Sequence, residues 1–435
     1  MTLTTASAQQ RPASPDSVAA HLVDLLAARR FPEAIAAMDD RMRAALPGAK
    51  LEEIWTTLEG QIGSYQHRGE THSVTSGDYT VVLVNATFAK SALNLKISID
   101  SAGRVGGLFF VPAGPPAPAS TGSSTLPSGV TELAVVVGAR GWPLPGLLTL
   151  PAGNLKVPLV VLVHGSGPQD RDETIGGSKP FRDLAYGLAE RGVAVLRYDK
   201  RTLVYSERMA VEGSGSLTVE QEVVADALAA IDSARHHPRI DPDRIYLAGH
   251  SLGGYLVPRI VSRDRRLAGA VILAGSTRHL EDIVLEQLDY LASQQGGSDK
   301  TDAAQREMLR NQAHKIKTLT EQDRSTAMFL IGAPPAYWLD LRRYDPVKTA
   351  ESLATPLLIL QGGRDYQVTA ADFAGWQTLA SRPGVTLKQY PSLNHLFVTG
   401  SGPSVPAEYE REGQVDQGVI GDIADWIIRR GAPRP

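Results

Sequence analysis

The stretch "LAGHSLGGYL", Leu247 to Leu256, sets a serine between Gly249 and Gly253. An apolar run reading as a buried strand precedes it, and a helical pattern follows. G-x-S-x-G in that context predicts a sharp strand-to-helix turn that lifts the Ser251 hydroxyl clear of the sheet. The glycines are needed because a Cβ there would strike the neighbouring strand or helix. A serine hydroxyl is a weak nucleophile until a base takes its proton. "LNHLF" offers His395 for that work, on a loop after the strand-like "VTLKQYP" and before the last helix. A histidine base needs a carboxylate to hold its tautomer. "LLILQGGRDYQV" delivers Asp365 in a Gly-rich turn at the end of an apolar run, with Asp340 and Asp345 as rival acids and Arg364 and Asp372 as nearby charges. Acyl transfer also needs donors for the oxyanion. The backbone N–H of Leu252, directly after the serine, is one. The loop after "VVLVHG" supplies the other, from Ser166, with Gly167 as the alternative.

Two charged stretches stand apart from this set. "RYDKR", Arg197 to Arg201, could grip an anionic substrate, but reads better as an ion-pair network bracing loops. "GPQDRDE", Gly167 to Glu173, carries three carboxylates in no metal-binding spacing and reads as structural.

The elements that must position these residues follow from the pattern along the chain. Residues 1–15 are polar and read as a disordered tail. Asp16 or Ser17 could cap a first helix through "VAAHLVDLLAARR". A second helix, "FPEAIAAMDDRMRAAL", and a third, "AKLEEIWTTLEGQIG", precede three strands in a meander, with turns at Gly77-Asp78 and Ser101-Ala102-Gly103. Helices followed by an antiparallel sheet make an α+β unit of residues 16–112. Residues 113–130, rich in Pro, Gly and Ser, read as a linker. From 131 onward a hairpin gives way to alternating strands and helices. The strands are continuous apolar runs, as in a parallel sheet covered on both faces. Some 80 residues between "AVILAG" and "PLLILQ" break the rhythm and carry amphipathic helices; they read as a helical cap of about 278–350, because a structureless loop of that length is implausible in a compact domain.

With 435 residues, 43% of them hydrophobic and 21% charged, the chain has ordinary globular composition and room for two or three domains. A net charge of −3 favours neither nucleic acid nor an anionic membrane. The absence of cysteine excludes a disulfide framework and a thiolate nucleophile. No run reaches the roughly 18–20 apolar residues of a membrane span. The N-terminus lacks a signal peptide's basic and apolar regions. A cytoplasmic protein is therefore expected, with export open if translation starts upstream of "ASAQQ".

With these residues in place, the sequence resembles the α/β-hydrolase superfamily, and within it bacterial serine esterases that carry a small N-terminal domain of unknown function. "LVHGSGPQDRDETIG", "KPFRDLAYGLAERGVAVLRYDKRT", "GHSLGGYL", "LILQGGRDYQVT" and "LNHLF" carry the resemblance, which spans nearly everything from residue 20; Gln169 and Ser178 stand where the family has asparagine. The chain order Ser251, Asp365, His395 is the order that fold uses. The resemblance implies an α/β-hydrolase fold with a helical cap, a Ser251–Asp365–His395 triad and an N-terminal domain similar to the nuclear-transport-factor-like group. Such domains bind small ligands or mediate dimers, so a homodimer through it is an expectation. The expected reaction is hydrolysis of a small-molecule ester without metal or cofactor. Amide hydrolysis by the same triad and a non-catalytic binding protein are the rivals. Tyr337 and Trp338 are candidates to line the substrate pocket, although core packing would explain them equally.

Overall fold

Four strands, β1 (Tyr65–Ser76), β2 (Tyr79–Phe88), β3 (Ala92–Asp100) and β4 (Val105–Pro112), pair antiparallel in that order in a computed structural model. It describes residues 14–76, 79–112, 126–206, 208–209, 217–294, 300–326 and 328–430. The chain divides into two compact units at about residue 123. In the first, the helices Pro15–Ala27 and Gly48–Ile62 turn Leu22, Leu26, Leu51 and Trp55 onto Val82, Val84, Leu95 and Ile97 of the sheet. Burying each such aliphatic side chain stabilises by roughly 1.5–3 kcal/mol.

This α+β unit differs from the sequence reading in three places. Ser14, not Asp16 or Ser17, caps the first helix, its hydroxyl accepting the Ser17 N–H at 3.2 Å ahead of Pro15. The second helix is two, Phe31–Ala36 and Asp40–Ala45, because Met38 is buried and pairs with Val105 while Asp39 caps a new turn by accepting the Met42 N–H. The sheet also has a strand the pattern hid. β1 reads "YQHRGETHSVTS", too polar to show alternation, and it lies at the sheet edge, where one side needs no partner. Gly103 makes its expected turn with positive φ. The turn at Gly77-Asp78, most of the tail (residues 1–13) and most of the linker (113–125) lie outside the described residues.

The second unit is built on eight strands: β5 (Thr131–Val137), β6 (Leu144–Leu150), β7 (Val157–Val163), β8 (Ala194–Tyr198), β9 (Ile240–His250), β10 (Gly269–Leu273), β11 (Leu357–Gly362) and β12 (Val385–Tyr390), in the order β12-β11-β10-β9-β7-β8-β6-β5. The six from β12 to β8 run parallel, and the β5–β6 hairpin adds antiparallel at the far edge. Alternation along β7 explains its unbroken apolar run. Val161 and Val163 face a layer that includes Ala227, Ile231, Leu256 and Ile260, whereas Val160 and Leu162 face Phe181, Leu184, Ile420 and Ile423 on the opposite side. The sheet is therefore covered by helices on both faces, and this is the α/β-hydrolase fold.

Between β10 and β11 stand the helices Leu280–Gln294, Lys300–Lys317, Pro335–Arg342 and Pro346–Glu351. The first two follow the amphipathic pattern; the last two start at prolines, which suit a first helical turn. Among the described residues, no helix is long and apolar enough to cross a membrane.

Candidate active site

The strand order reverses around β7, since the chain passes from β7 to β8 on one side and then returns to β9 on the other. In open parallel sheets a crevice opens at the carboxyl ends of the strands at such a point. The turns after β7 and β9 meet there. Ser251 follows β9 directly and adopts φ 52°, ψ −115°, a conformation no relaxed serine prefers. Its N–H is held by the Leu273 carbonyl at 2.9 Å. The glycines are required as the motif predicts. A Cβ on Gly253 would lie 2.1 Å from the Val163 carbonyl oxygen, and one on Gly249 2.3 Å from that of Gly253. Leu252 is the first residue of the helix Leu252–Arg263, so its N–H has no intrahelical acceptor.

β11 ends in Gln361 and Gly362 and turns into Asp365, whose side chain is buried. One carboxylate oxygen, Oδ1, accepts the backbone N–H groups of Gln367 (2.8 Å) and Val368 (2.9 Å). The other, Oδ2, accepts Gln361 Nε2 (3.0 Å) and His395 Nδ1 (2.7 Å). A carboxylate can only accept, so Nδ1 carries a proton, and in the neutral ring the lone pair is then on Nε2. His395 is shaped by its own loop after β12. The Asn394 side-chain oxygen accepts the N–H groups of Leu396 and Val398, closing a tight turn around the ring.

Asp365 and His395 are thus brought together. Ser251 makes no hydrogen bond to His395 in this structure, and catalytic contacts of this kind often tighten only with substrate bound. What ties the two turns is His250. Its ring lies 4.7 Å from that of His395, and its Nε2 donates to the His395 carbonyl at 3.0 Å.

The other sequence candidates are accounted for. Asp340 pairs with Arg259 and Asp345 caps a helix, so each rival acid has structural work, and the nearby Asp372 is buried against Arg278 at 2.7 Å. Arg364 pairs with Glu408 and binds the carbonyls of Ser401 and Gly402. "RYDKR" is an ion-pair network, with Arg197 on Glu132 and Asp172, and Arg201 on Asp226. In "GPQDRDE", Asp170 accepts the N–H and hydroxyl of Thr174. Tyr337 and Trp338 are both buried, and their polar atoms are engaged within the protein: Tyr337 OH donates to Glu222 at 2.6 Å, and Trp338 Nε1 to the Leu330 carbonyl at 2.7 Å.

Two residues near the site carry more than the sequence reading gave them. Glu173 has no exposure, a positive φ of 51°, and its Oε1 accepts the Gly165 N–H at 2.6 Å. Its Oε2 stands 3.0 Å from His250 Nδ1, an ion pair set off the line of a straight hydrogen bond. Burial opposes the charge on both. For His250 the Glu173 carboxylate outweighs it and raises the pKa above the ordinary imidazole value; for Glu173, His250 and the Gly165 N–H outweigh it and lower the pKa. For His164, whose Nε2 lies 3.1 Å from the Asp170 carbonyl, burial outweighs the pull of Glu173 and drops the pKa to about 4, so it is neutral. The sequence signalled only half of the pair: His250 is a chargeable residue at the end of the apolar strand β9, whereas Glu173 sits in a polar loop ten residues beyond β7.

A nucleophile-type turn at the reversal of a parallel sheet, with a carboxylate–histidine pair on the next loops, defines an α/β-hydrolase. The chain belongs to that family: residues 157–400 match the family described as "Serine aminopeptidase, S33", and residues 19–108 match a family of unknown function, DUF3887. It is 35% identical to the protein called Esterase EstD of Thermotoga maritima, over 95% of each chain. It is also 26% identical to a polyketide transferase, ATR5, of Stachybotrys chlorohalonatus, over 33% of this chain and 43% of that one. Among solved structures, an esterase of Pyrobaculum calidifontis aligns with 70% of this chain and 87% of its own at 18% identity and a TM-score of 0.45. The Pyrococcus furiosus esterase PF2001 aligns with 69% and 92% at 15% identity and a TM-score of 0.43.

Proposed function

We propose that the protein hydrolyses carboxylic esters of small or medium size through an acyl-enzyme. Ser251 attacks the ester carbonyl carbon while His395 Nε2 takes the hydroxyl proton. The tetrahedral oxyanion is met by the N–H groups of Leu252 and Ser166. Its collapse expels the alcohol, which leaves with the proton from His395. Water then repeats the attack with the same base, and the carboxylic acid departs. Asp365 holds the imidazole in the required tautomer and balances its transient charge. This chemistry calls for no metal or cofactor.

The observation that carries the reading is the 2.7 Å hydrogen bond from His395 Nδ1 to a buried Asp365 carboxylate, on a loop tied to the strained Ser251 turn through His250. The likeness over nearly full length to a protein named an esterase supports an ester as substrate. A second reading, amide hydrolysis by the same residues, draws on the description of the matching family as a serine aminopeptidase.

The test compares p-nitrophenyl esters of graded acyl length with amino-acid anilides. Esters should turn over and anilides should not; a preference for anilides would replace the ester reading with the second. A fluorophosphonate should label the protein and fail on Ser251→Ala, whose turnover should fall by about 10³-fold or more. Absence of labelling would point to a binding protein.

A further inference from the structure

The two charged stretches that the triad leaves unused converge on one residue. Glu173 of the first accepts the N–H of Gly165, and Lys200 of the second donates to its carbonyl at 2.8 Å. Both side chains are buried, Lys200 at 1% exposure and Glu173 at 0%. Burying an ammonium and a carboxylate costs several kcal/mol each before pairing, and a pair of apolar residues would serve stability as well or better. The place where these charges act therefore matters more than their number.

That place is the wall of the proposed oxyanion site. A Cβ on Gly165 would lie 3.2 Å from the Ser251 Cβ, so this backbone sits directly against the serine side chain. The Gly165 carbonyl and the Ser166 N–H belong to one planar trans peptide and point in opposite directions. An ammonium that draws the carbonyl to one side aims the Ser166 N–H to the other. The next peptide has a weaker hold: among the described residues, the Ser166 carbonyl accepts only from the half-buried Gln169 side chain, at 3.2 Å. The anchor thus singles out Ser166 over Gly167 as the donor. Lys200 is itself fixed from behind. Glu222 pairs with it at 3.0 Å and accepts the hydroxyl of Tyr337, from the helix Pro335–Arg342 between β10 and β11.

We propose that Lys200 is a positioning residue of the reaction. It orients the Gly165–Ser166 peptide so that the Ser166 N–H meets the oxyanion, and the Glu222–Tyr337 hydrogen bond links that orientation to the helical insertion. Lys200 touches no reacting atom. Its contribution is to spare the loop a reorganisation when charge develops on the substrate oxygen. The proposal rests on Ser251 being the nucleophile.

Lys200→Met alone would strand the Glu222 carboxylate, so the decisive variant is Lys200→Met with Glu222→Gln, which removes both charges and leaves Tyr337 a partner. It should melt close to the wild type and keep KM for a p-nitrophenyl ester within about threefold. Its kcat should fall on the order of 10²-fold, the size of losing one oxyanion donor. Affinity for a boronic acid, whose serine adduct carries a tetrahedral oxyanion-like oxygen, should weaken by a similar factor. A merely structural lysine would move the melting temperature and leave these two ratios alone. A folded double variant with wild-type kcat and boronate affinity overturns the proposal, as does a rise in KM alone. Fluorophosphonate labelling of the wild type, lost in Ser251→Ala, is read in parallel. If labelling fails, the nucleophile reading fails and this proposal falls with it; if labelling succeeds, any failure belongs to Lys200.

Discussion

Asp365 illustrates how much of a charged residue's behaviour is set by its hydrogen bonds. Its carboxylate is buried, yet it accepts two backbone N–H groups, one amide N–H and one imidazole N–H. Four donors saturate both oxygens and stop the side chain from rotating, so the remaining freedom, which nitrogen of His395 holds the proton, is decided as well. Asp365→Asn keeps the shape and most of these bonds but turns an amide toward Nδ1. Its N–H then favours the tautomer in which Nδ1 accepts and Nε2 is protonated, which cannot act as a base. We expect kcat to fall by about 10⁴-fold with KM little changed, as the loss of a correct tautomer implies. Steady-state kinetics on one p-nitrophenyl ester measures both, and a fall below tenfold would mean that Asp365 does not orient the base. This acid was legible in the sequence because it ends an apolar run in a Gly-rich turn. Its supporting partner Gln361 was not singled out, although a lone amide in the buried strand "LLILQG" is itself a sign of a required hydrogen bond.

At the scale of elements, the Glu173–His250 pair joins three turns: the one after β7 through the Gly165 N–H, the one after β9 through His250 itself, and the one after β12 through the His395 carbonyl. Its pH dependence follows from the directions of the two shifts. His250 is raised above its ordinary 6.5, so its share of stability is complete below about 6.5 and is lost as pH rises through the folded value. Glu173 is lowered from 4.5, so its share is complete above about 4.5 and is lost as pH falls through the folded value. The pair therefore works fully between roughly pH 4.5 and 6.5. Glu173→Gln should cost about 3 kcal/mol there, the low end for a broken buried pair because the ring can shed its proton. The melting-temperature gap to wild type should shrink on both sides of that window, and a gap independent of pH would show that His250 is neutral. Elements also mark where sequence pattern stopped being informative. The buried strands were legible because both faces need apolar side chains. β1 was not, because an edge strand can be polar, and the break at Met38 was not, because a bridge to Val105, 67 residues away, decides it.

Across the whole molecule, the described apolar side chains gather into separate cores. The core of the first unit draws only on residues from 18 to 110, with Leu22, Trp55, Val82 and Ile97 at its centre. Among the described residues, the clusters of the second unit draw on residues from 135 onward. Ser251, Asp365, His395, Glu173 and Lys200 all belong to the second unit, as do the elements that hold them. A linker is the expectation for "PAGPPAPASTGSSTLPSG" because a core cannot be built from it, whereas the use of the first unit was not legible, because its motifs contain no convincing acid–base pair. A unit with its own core folds by itself when nothing else completes it. A chain of residues 126–435 should therefore be obtained folded, with a cooperative melting transition and ester kcat within about threefold of the full protein, because the clusters beneath the site are built, among the described residues, from residues 135 onward. An insoluble or inactive product would show that the first unit completes the second, and would move it from an appendage to part of the catalytic machinery.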